Sequence, residues 1–273
     1  MHPVSVLIGG FSGAPTKAQA EILRHDLQDA LEDARALLQW TSAFDFPDDQ
    51  QDFTTVALQH PDEYPMNEGR IVSSRGLDMA IADYQQHFQE THAPHSTALH
   101  SHLDGEPYLV GPLARINLNY AKLPKAVTEV IEASAIRFPS QNVFHSMVAR
   151  AAEIYFALLE AIDILKAYTQ PQQSHVPATP QAGVGYGCTE APRGILWHRY
   201  ELDTEGKVSN AIIVPPTSQN QARIEEDLRQ SLEKFGLEHD DEALRLRGET
   251  VIRNYDPCIS CATHFLKLKV HRA

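Results

Sequence analysis

The residues best suited to bind a metal stand close together near the end of the sequence. Cys258 and Cys261 are two of the three cysteines, and His264 follows three residues after the second thiol. Two thiolates at Cys-x-x-Cys spacing can hold one soft transition-metal ion or bridge two, and the imidazole can bind the same centre or a nearby one. The segment therefore predicts a metal site with thiolate ligands.

Three kinds of site fit this spacing. A structural zinc site needs four ligands in a closed tetrahedron, so another group such as Cys188 would have to join the pair. A thioredoxin-like redox pair would start a helix after a strand, and no pattern of that type precedes Cys258. The third kind is a catalytic metal pair bound by thiolates. On spacing alone, all three remain open.

The whole motif resembles a known signature. Asp-Pro-Cys-x-x-Cys-x-x-His at residues 256–264 is similar to the C-terminal motif of nickel–iron hydrogenase large subunits, most closely in the cytoplasmic branch that uses NAD(P) or other soluble electron carriers. Other segments agree in the family's order. They are His-Pro-Val at 2–4 with Gly-Gly-Phe at 9–11, Gly-Pro-Leu-Ala-Arg at 111–115, residues 145–153, Glu-Ala-Pro-Arg-Gly at 190–194 and Val-Pro-Pro-Thr at 214–217. Several ordered motifs are more specific than one Cys-x-x-Cys.

The resemblance implies metal ligands. Cys258 would bind nickel as a terminal ligand, and Cys261 would bridge nickel and an iron that carries cyanide and carbon monoxide. His264 would bind a nearby magnesium ion, to which Ile213 would lend its backbone carbonyl. The alternatives are an inert buried cysteine pair and, for His264, a hydrogen-bonded core histidine.

It also implies residues around the iron. The Arg193 guanidinium, counted with the two thiolates among the catalytic groups, would point toward the cyanide ligands, since a fixed fork of donors suits an anionic group. Pro216 and Thr217 would complete this cofactor-binding set, with the Thr217 hydroxyl donating to the second cyanide. The alternatives are an ion pair between Arg193 and Glu190, and a helix-capping role for Thr217.

The function implied is reversible heterolytic oxidation of dihydrogen to protons and electrons, with the electrons passed to an iron–sulfur small subunit. NAD(P)-linked diaphorase subunits and a maturation protease that removes the tail after His264 would be further partners. The family's N-terminal Arg-x-Cys-Gly-x-Cys motif is missing, so we expect a fragment that is inactive alone, or a split subunit whose first half is another chain. The alternative is a non-catalytic relic or scaffold with a zinc or empty site.

Composition limits the surroundings of the protein. The formal net charge of -13 argues against nucleic acid and anionic membranes as partners. The sequence has no apolar run long enough to span a bilayer and no secretory signal pattern at its start. Three cysteines, two of them in a metal-like motif, do not form a disulfide framework and favour a reducing, cytoplasmic location.

The expected fold is mainly α with a small β element (α+β), a helical-bundle body of the hydrogenase large-subunit type that is truncated at its N-terminus. We treat residues 1–273 as one partial domain, with a helical body at 1–170 and a β-hairpin, helix and metal motif at 185–273. Hydrophobic periodicity predicts these elements. They are helices at 16–40, 77–90, 125–136, 142–168 and 219–235, a strand at 54–58, an irregular stretch at 91–119, a linker at 171–180 and a hairpin of 194–202 with 208–214.

Two further features have plain interpretations. Cys188 precedes Glu-Ala-Pro-Arg-Gly where the family has a small residue, so we expect it to pack in the core. His92, His95, His100 and His102 have metal-like spacing, yet they match a stretch that is not a ligand set in the family. We therefore expect a solvated or hydrogen-bonded loop there.

Overall fold

A computed structural model describes residues 5–258 of the chain. Helices account for much of this range, and small sheets lie between them. The helices are α1 (Lys17–Asp29), α2 (Leu31–Ser42), α3 (Tyr84–His87), α4 (Pro112–Asn119), α5 (Lys125–Glu132), α6 (Ser146–Ala167), α7 (Pro216–Phe235) and α8 (Asp241–Arg253). None of these described helices is both long enough and apolar enough to cross a membrane.

The strands form four small sheets among the described residues. They are β1 (Val6–Leu7), β2 (Gly10–Phe11), β3 (Thr54–Gln59), β4 (Arg70–Ser73), β5 (Asp78–Met79), β6 (Phe88–His92), β7 (Leu99–Leu103), β8 (Tyr108–Leu109), β9 (Gly183–Ala191), β10 (Gly194–Leu202) and β11 (Val208–Val214). Their orders are β1-β2, β6-β7, β5-β4-β3-β8 and β11-β10-β9. Only the β3–β8 pair among them is parallel. The fold is therefore α+β, as the sequence predicted.

The helical part packs around α6, which contacts α1, α2, α4 and α5. The predicted helix at 16–40 is two helices, because the chain turns at Ala30, whose N–H closes α1 on the Asp26 carbonyl. Thr16 and Gln19 form a capping box at the start of α1. Leu38 and Val148 are fully buried between α2 and α6. This cluster is one of three hydrophobic cores in the described chain.

The sequence prediction was wrong for residues 77–119. Residues 77–90 are not a helix but include β5, the short α3 and the start of β6, and residues 91–119 contain β7, β8 and α4 rather than an irregular stretch. The reason is tertiary. Tyr84 stacks on Phe88 and on Trp197, with ring centroids 4.3 and 4.7 Å apart, and β6 pairs with β7. These contacts override the local helical spacing.

Other predicted elements are confirmed. The strand at 54–58, the helices at 125–136, 142–168 and 219–235, and the hairpin of β10 with β11 are all present near the expected bounds. Strand β9 and helix α8 were not predicted. The long helix α6 is buried on more than one side, because Ala151 and Ile162 are buried together with Val148 and Ala152, whereas Met147 and Ile154 are exposed. A helix that is apolar on most sides gives weak information about its buried face.

Helix α7 packs on β7, β8, β10 and α8, and its buried face is largely polar. Gln219 donates to the carbonyl of Ile195 at 2.6 Å, so the helix is hydrogen-bonded to the start of β10. Asn220 accepts from the N–H of Val110 at 2.9 Å and donates to its carbonyl at 3.2 Å. These amides satisfy buried backbone groups at the ends of β8 and β10.

Candidate metal centre

Cys258 follows α8 after a turn and a short irregular segment, and it is partly buried. The three residues that follow α8 are Asn254, Tyr255 and Asp256, and Cys258 comes two residues later. Asn254 and Tyr255 are buried. Cys261 and His264, the other predicted ligands of this motif, lie outside the described residues. The structure therefore describes Cys258 and the segment that leads to it.

Helix α6 holds Asn254, the first residue after α8. Ser146 donates its hydroxyl to the Asn254 carbonyl at 2.8 Å, and Arg150 donates from Nη2 to the same oxygen at 3.2 Å. Burial lowers the pKa of Arg150, although Asp256 and Glu153 act in the opposite direction. Arg150 is thus partly desolvated, and its guanidinium donates to the backbone carbonyl of Asn254.

Tyr255 is held by α7. Its hydroxyl donates to Oδ2 of Asp227 at 3.0 Å, and Gln51 donates to Oδ1 of the same carboxyl group. Arg223 lies 3.9 Å from Asp227 and binds Oε1 of Gln51 at 2.5 Å. Burial raises the pKa of Asp227 to about 6, despite the nearby Arg223. The tyrosine is thus fixed by a buried polar network rather than by packing alone.

Asp256 is held by Arg193, which lies in the tight turn between β9 and β10. The Nη2 atom of Arg193 is 3.0 Å from Oδ2 of Asp256, and its Nε donates to the Asp256 backbone carbonyl. Asp256 has φ +47°, a left-handed conformation that aspartate tolerates better than most residues. Glu190 is paired with Arg115 instead, so the predicted alternative of an Arg193–Glu190 ion pair is not observed.

We call these contacts the 254–256 clamp: α6 holds Asn254, α7 holds Tyr255, and the β9–β10 turn holds Asp256. The three elements are far apart in sequence and meet only in the fold. A short segment fixed at three successive residues has little freedom, so the thiol of Cys258 starts from a defined position. Rigid support of this kind is what a metal ligand requires.

The turn that carries Arg193 is itself fixed by a buried ionic network. Arg115 on α4 donates to both carboxylate oxygens of Glu153 at 2.6 Å and to Oε2 of Glu190 at 2.9 Å. Its guanidinium also binds the carbonyls of Ala191 and Pro192 at 2.8 and 3.1 Å. All the donors of one arginine therefore converge on the two residues before Arg193 and on the acids around them.

The charges in this network are fully desolvated. Burial raises the pKa of Glu190, while Arg115 and the N–H of Leu58 oppose that effect. Tyr64 adds a hydrogen bond to Glu153 at 2.7 Å. Burial favours a lower pKa for Arg115, yet the two acids hold it well above its ordinary value. The arginine thus stays charged and the turn stays anchored.

Two glycines allow the turn to approach the start of α4. Gly111 has φ +111°, and a Cβ atom there would lie 2.8 Å from the carbonyl oxygen of Arg193. Gly194 has φ +138°, and a Cβ atom there would collide with the side chain of Val110. Both positions favour glycine by conformation and by space. We call this contact the glycine joint.

Pro216 and Thr217 are the first two residues of α7. Pro216 occupies the first helical position, where a missing N–H costs nothing. Thr217 is buried, and its hydroxyl has no hydrogen-bond partner among the described residues. The N-cap is Pro215 and no side chain caps the helix, so the capping alternative for Thr217 is not observed. Asn220, one turn further on, lies 3.4 Å from the Arg193 carbonyl.

The remaining predicted residues have separate places. Ile213 lies in β11 opposite His198, with its side chain half exposed. Cys188 packs in the core beside Trp197, and burial raises the pKa of its thiol, so the group is protonated and inert. This agrees with the expected packing role of Cys188.

Sequence reasoning identified the residues of the motifs but missed the groups that fix them. Arg150 lies in the motif at residues 145–153, and that basic residue was the signal by which the sequence could have indicated it. Asp227 and Gln51 gave no signal, because each contacts the other across 176 residues of chain. Their functional importance depends on tertiary contacts that a local pattern does not contain.

Known proteins resemble this chain in sequence and in fold. A sequence model described as nickel-dependent hydrogenase matches residues 80–264, about two thirds of the chain. The chain belongs to the nickel-dependent hydrogenase family. This confirms the family inferred from the ordered motifs. The match begins before α3 and ends at the histidine of the C-terminal motif.

Individual members of the family show how much of a subunit is present. The alpha subunit of sulfhydrogenase 1 from Pyrococcus furiosus is 32% identical over 272 residues, which cover 98% of this chain and 63% of that subunit. The beta subunit of the NAD-reducing hydrogenase HoxS from Cupriavidus necator is 34% identical over 166 residues, 58% of this chain and 34% of that subunit. The chain thus spans less than two thirds of these hydrogenase subunits.

Solved hydrogenases share the fold. The crystal structure of an NAD+-reducing [NiFe]-hydrogenase in the H2-reduced state superposes with a TM-score of 0.77 at 22% identity, covering 94% of this chain and 62% of that one. A reduced, active Ni-Fe-Se hydrogenase from Desulfomicrobium baculatum gives a TM-score of 0.70 at 21% identity, with 94% and 62% covered. The α+β architecture is therefore that of nickel–iron hydrogenases.

Proposed function

We propose that this chain is a portion of a nickel–iron hydrogenase large subunit and that Cys258 and Cys261 are its ligands to the nickel–iron centre. The assembled enzyme would convert dihydrogen reversibly to two protons and two electrons. The 254–256 clamp carries the proposal, because contacts from three separate elements fix the residues just before Cys258, and one of these contacts joins Arg193 to Asp256. Family membership supplies the reaction class.

Thr217 and Arg193 suit the group that the family implies. The buried Thr217 hydroxyl is without a hydrogen-bond partner among residues 5–258, so it is ready to donate to an acceptor such as a cyanide ligand. Thr217 also lies in the first turn of α7, where the helix dipole favours a negative group. Arg193 uses Nε and Nη2 for Asp256, which leaves Nη1 for the same anionic ligand.

We assign each residue a role on this basis. When bound, nickel and iron supply the Lewis acidity and redox chemistry for dihydrogen cleavage. The Cys258 Sγ atom, which is partly exposed, would hold nickel and would act as a proton acceptor. Cys261 would hold the same centre. His264 and the backbone carbonyl of Ile213 would bind magnesium.

The proposed partners follow from the chemistry. Electrons released at the centre need an acceptor, which we assign to an iron–sulfur small subunit and, beyond it, to an NAD(P)-linked diaphorase. The remaining cysteine ligands would come from the part of the large subunit that this sequence does not contain. A maturation protease would cut the tail after His264. The proposed location is the cytoplasm.

Metal analysis tests the proposal. The chain is purified from its native host under anaerobic, reducing conditions with everything that accompanies it, and the metals and companion chains are identified. We expect nickel and iron in near-equal amounts, dihydrogen oxidation, and a companion polypeptide that carries Arg-x-Cys-Gly-x-Cys. Zinc or no metal, with no such companion, would overturn the proposal in favour of a non-catalytic relic.

Matched cysteine variants assign the ligand. Cys258→Ser should remove nickel and abolish dihydrogen oxidation, because a hydroxyl is a poor ligand for a soft metal. Cys188→Ala is the control, since Cys188 lies in the core beside Trp197 and should leave nickel content unchanged. Equal nickel loss in both variants would show a general folding effect and contradict the assignment.

A further inference from the structure

A second group of metal-binding side chains lies away from Cys258. His95 lies in the loop between β6 and β7, His100 lies in β7, and Glu225 lies in α7, which packs on β7. Their ligand atoms all lie within 4.8 Å of one another. His95 Nε2 is 3.1 and 3.2 Å from the two carboxylate oxygens of Glu225, and His100 Nε2 is 3.3 Å from the nearer one.

Two of these separations, from Glu225 to each imidazole, match those between the ligands of a tetrahedral metal ion. Zinc binds imidazole nitrogen and carboxylate oxygen at about 2.0–2.2 Å, so two ligand atoms at a tetrahedral angle lie roughly 3.3 Å apart. The distances from Glu225 Oε1 to the two imidazoles, 3.1 and 3.3 Å, are close to this value. The two imidazole rings are nearly perpendicular, with an interplanar angle of 82°, so they do not stack against each other.

The buried histidine gives independent support. His100 is 6% exposed, and its Nε2 atom faces the carboxylate without forming a hydrogen bond in the described structure. A buried polar nitrogen without a partner costs about 1–3 kcal/mol. A metal ion placed among the three side chains would give that nitrogen a partner.

We propose that His95, His100 and Glu225 form a binding site for a divalent zinc-type transition-metal ion. Two imidazoles and one carboxylate are a ligand set that zinc accepts with a water molecule as the fourth ligand. The side chains of His95 and Glu225 are exposed enough to admit the ion and the water. Gln221 Nε2 lies 3.5 Å from the Glu225 carboxylate and can orient it.

The site would join two parts of the fold. The β6–β7 hairpin contributes both imidazoles, whereas α7 contributes the carboxylate about two turns after Thr217. A bound ion would therefore fix the hairpin to the helix that also holds Tyr255 through Asp227. Its role is structural support for α7, separate from the nickel–iron chemistry.

Zinc loading with matched histidine variants tests this site. The chain is purified with its companions, exposed to zinc chloride, dialysed, and examined by metal analysis and zinc X-ray absorption. We expect one additional zinc per chain with nitrogen and oxygen neighbours and no sulfur. His95→Ala and Glu225→Gln should each lower zinc affinity at least about tenfold, since even outer-shell changes cost about 10–100-fold.

The control is His102→Ala, a histidine two residues from His100 on the same strand that is outside the ligand group. It should bind zinc as the parent does. Sulfur neighbours, no additional zinc, or equal zinc binding in the parent and the His95→Ala and Glu225→Gln variants would overturn the site. Nickel and iron contents measured on the same samples separate this outcome from failure of the proposed hydrogenase function.

Discussion

Thr217 shows at the residue scale how a binding group differs from a packing group. Its hydroxyl is buried, and no described residue accepts from it or donates to it. A valine would fill similar space without the desolvation cost of about 1–3 kcal/mol for an unsatisfied hydroxyl. The neighbouring Asn220, by contrast, satisfies its amide on Val110. The contrast supports a ligand-facing role for Thr217.

Asp227 gives a pH prediction at the same scale. Its pKa is raised to about 6 by burial, against about 4 in an unfolded chain. Between these values the folded protein keeps a proton that the unfolded chain has released. The free energy of unfolding should therefore fall as pH rises from 4 to 6, by roughly 3 kcal/mol from this group at about 1.4 kcal/mol per unit.

Urea denaturation from pH 4 to 7, with EDTA present, measures this effect. Asp227→Asn cannot titrate, so its stability should change less over the window than that of the parent protein. Asp163→Asn, an exposed position on α6, is the control and should follow the parent curve. Parallel curves for the parent and Asp227→Asn would contradict the prediction.

Several residues of the proposed site could be named from the sequence. Cys258, Arg193 and Thr217 stand in recognisable motifs. In the structure, Arg193 contacts Asp256, two residues before Cys258. Glu225 could not be found in this way. It lies 130 residues from His95, and a histidine pair has no local mark that shows which distant carboxylate completes it. Such partners depend on tertiary contacts.

At the scale of elements, one arginine connects a helix, a second helix and a sheet. Arg115 on α4 pairs with Glu153 on α6 and Glu190 on β9, and its side chain is almost fully buried. Removing one member of a buried ion network leaves the others charged and unpaired. The stability of the β9–β10 turn should therefore depend strongly on this side chain.

Replacing Arg115 tests that dependence. Arg115→Ala should lower the free energy of unfolding by about 3–5 kcal/mol, since two buried carboxylates lose their partner. Arg70→Ala is the matched control, because Arg70 pairs with Asp78 in an exposed position and should contribute under about 1 kcal/mol. Chemical denaturation of both variants measures the difference. Similar losses would show that the Arg115 network does not stabilise the fold.

Elements were predicted well where local signals agree with tertiary packing. The β10–β11 hairpin has a Gly206 turn between two strand-like runs, and α7 has a clear helical period, and both are confirmed. The error at 77–90 arose because Tyr84 and Phe88 fit a helical spacing but pack on Trp197 from separate short elements. Hydrophobic period alone cannot distinguish these outcomes over such a short stretch.

At the scale of the whole molecule, large apolar side chains are exposed on several helices. Ile22, Trp40, Ile154 and Ile164 are each more than 40% exposed. Ile22 and Leu23 also line an open groove of about 560 Å³ between α1 and the end of α6. Apolar surface of this kind promotes association in water.

Substitutions in this groove test the effect on association. The chain expressed alone should self-associate, and Ile22→Glu with Leu23→Glu should lower its apparent mass in light scattering because charge replaces apolar surface. Val208→Glu, an exposed position in β11, is the control and should have less effect. A monodisperse parent chain, or equal masses for all three proteins, would contradict the prediction.

The glycine joint has a consequence for protein engineering. It brings the motif at residues 111–115 against the motif at 190–194, so the two form one interface although about 80 residues separate them. A chimera that takes one motif from a homologue and keeps the other would mix two halves of a fitted contact, and any side chain at Gly111 would displace the Arg193 carbonyl. Recombination boundaries should therefore keep both motifs from the same parent.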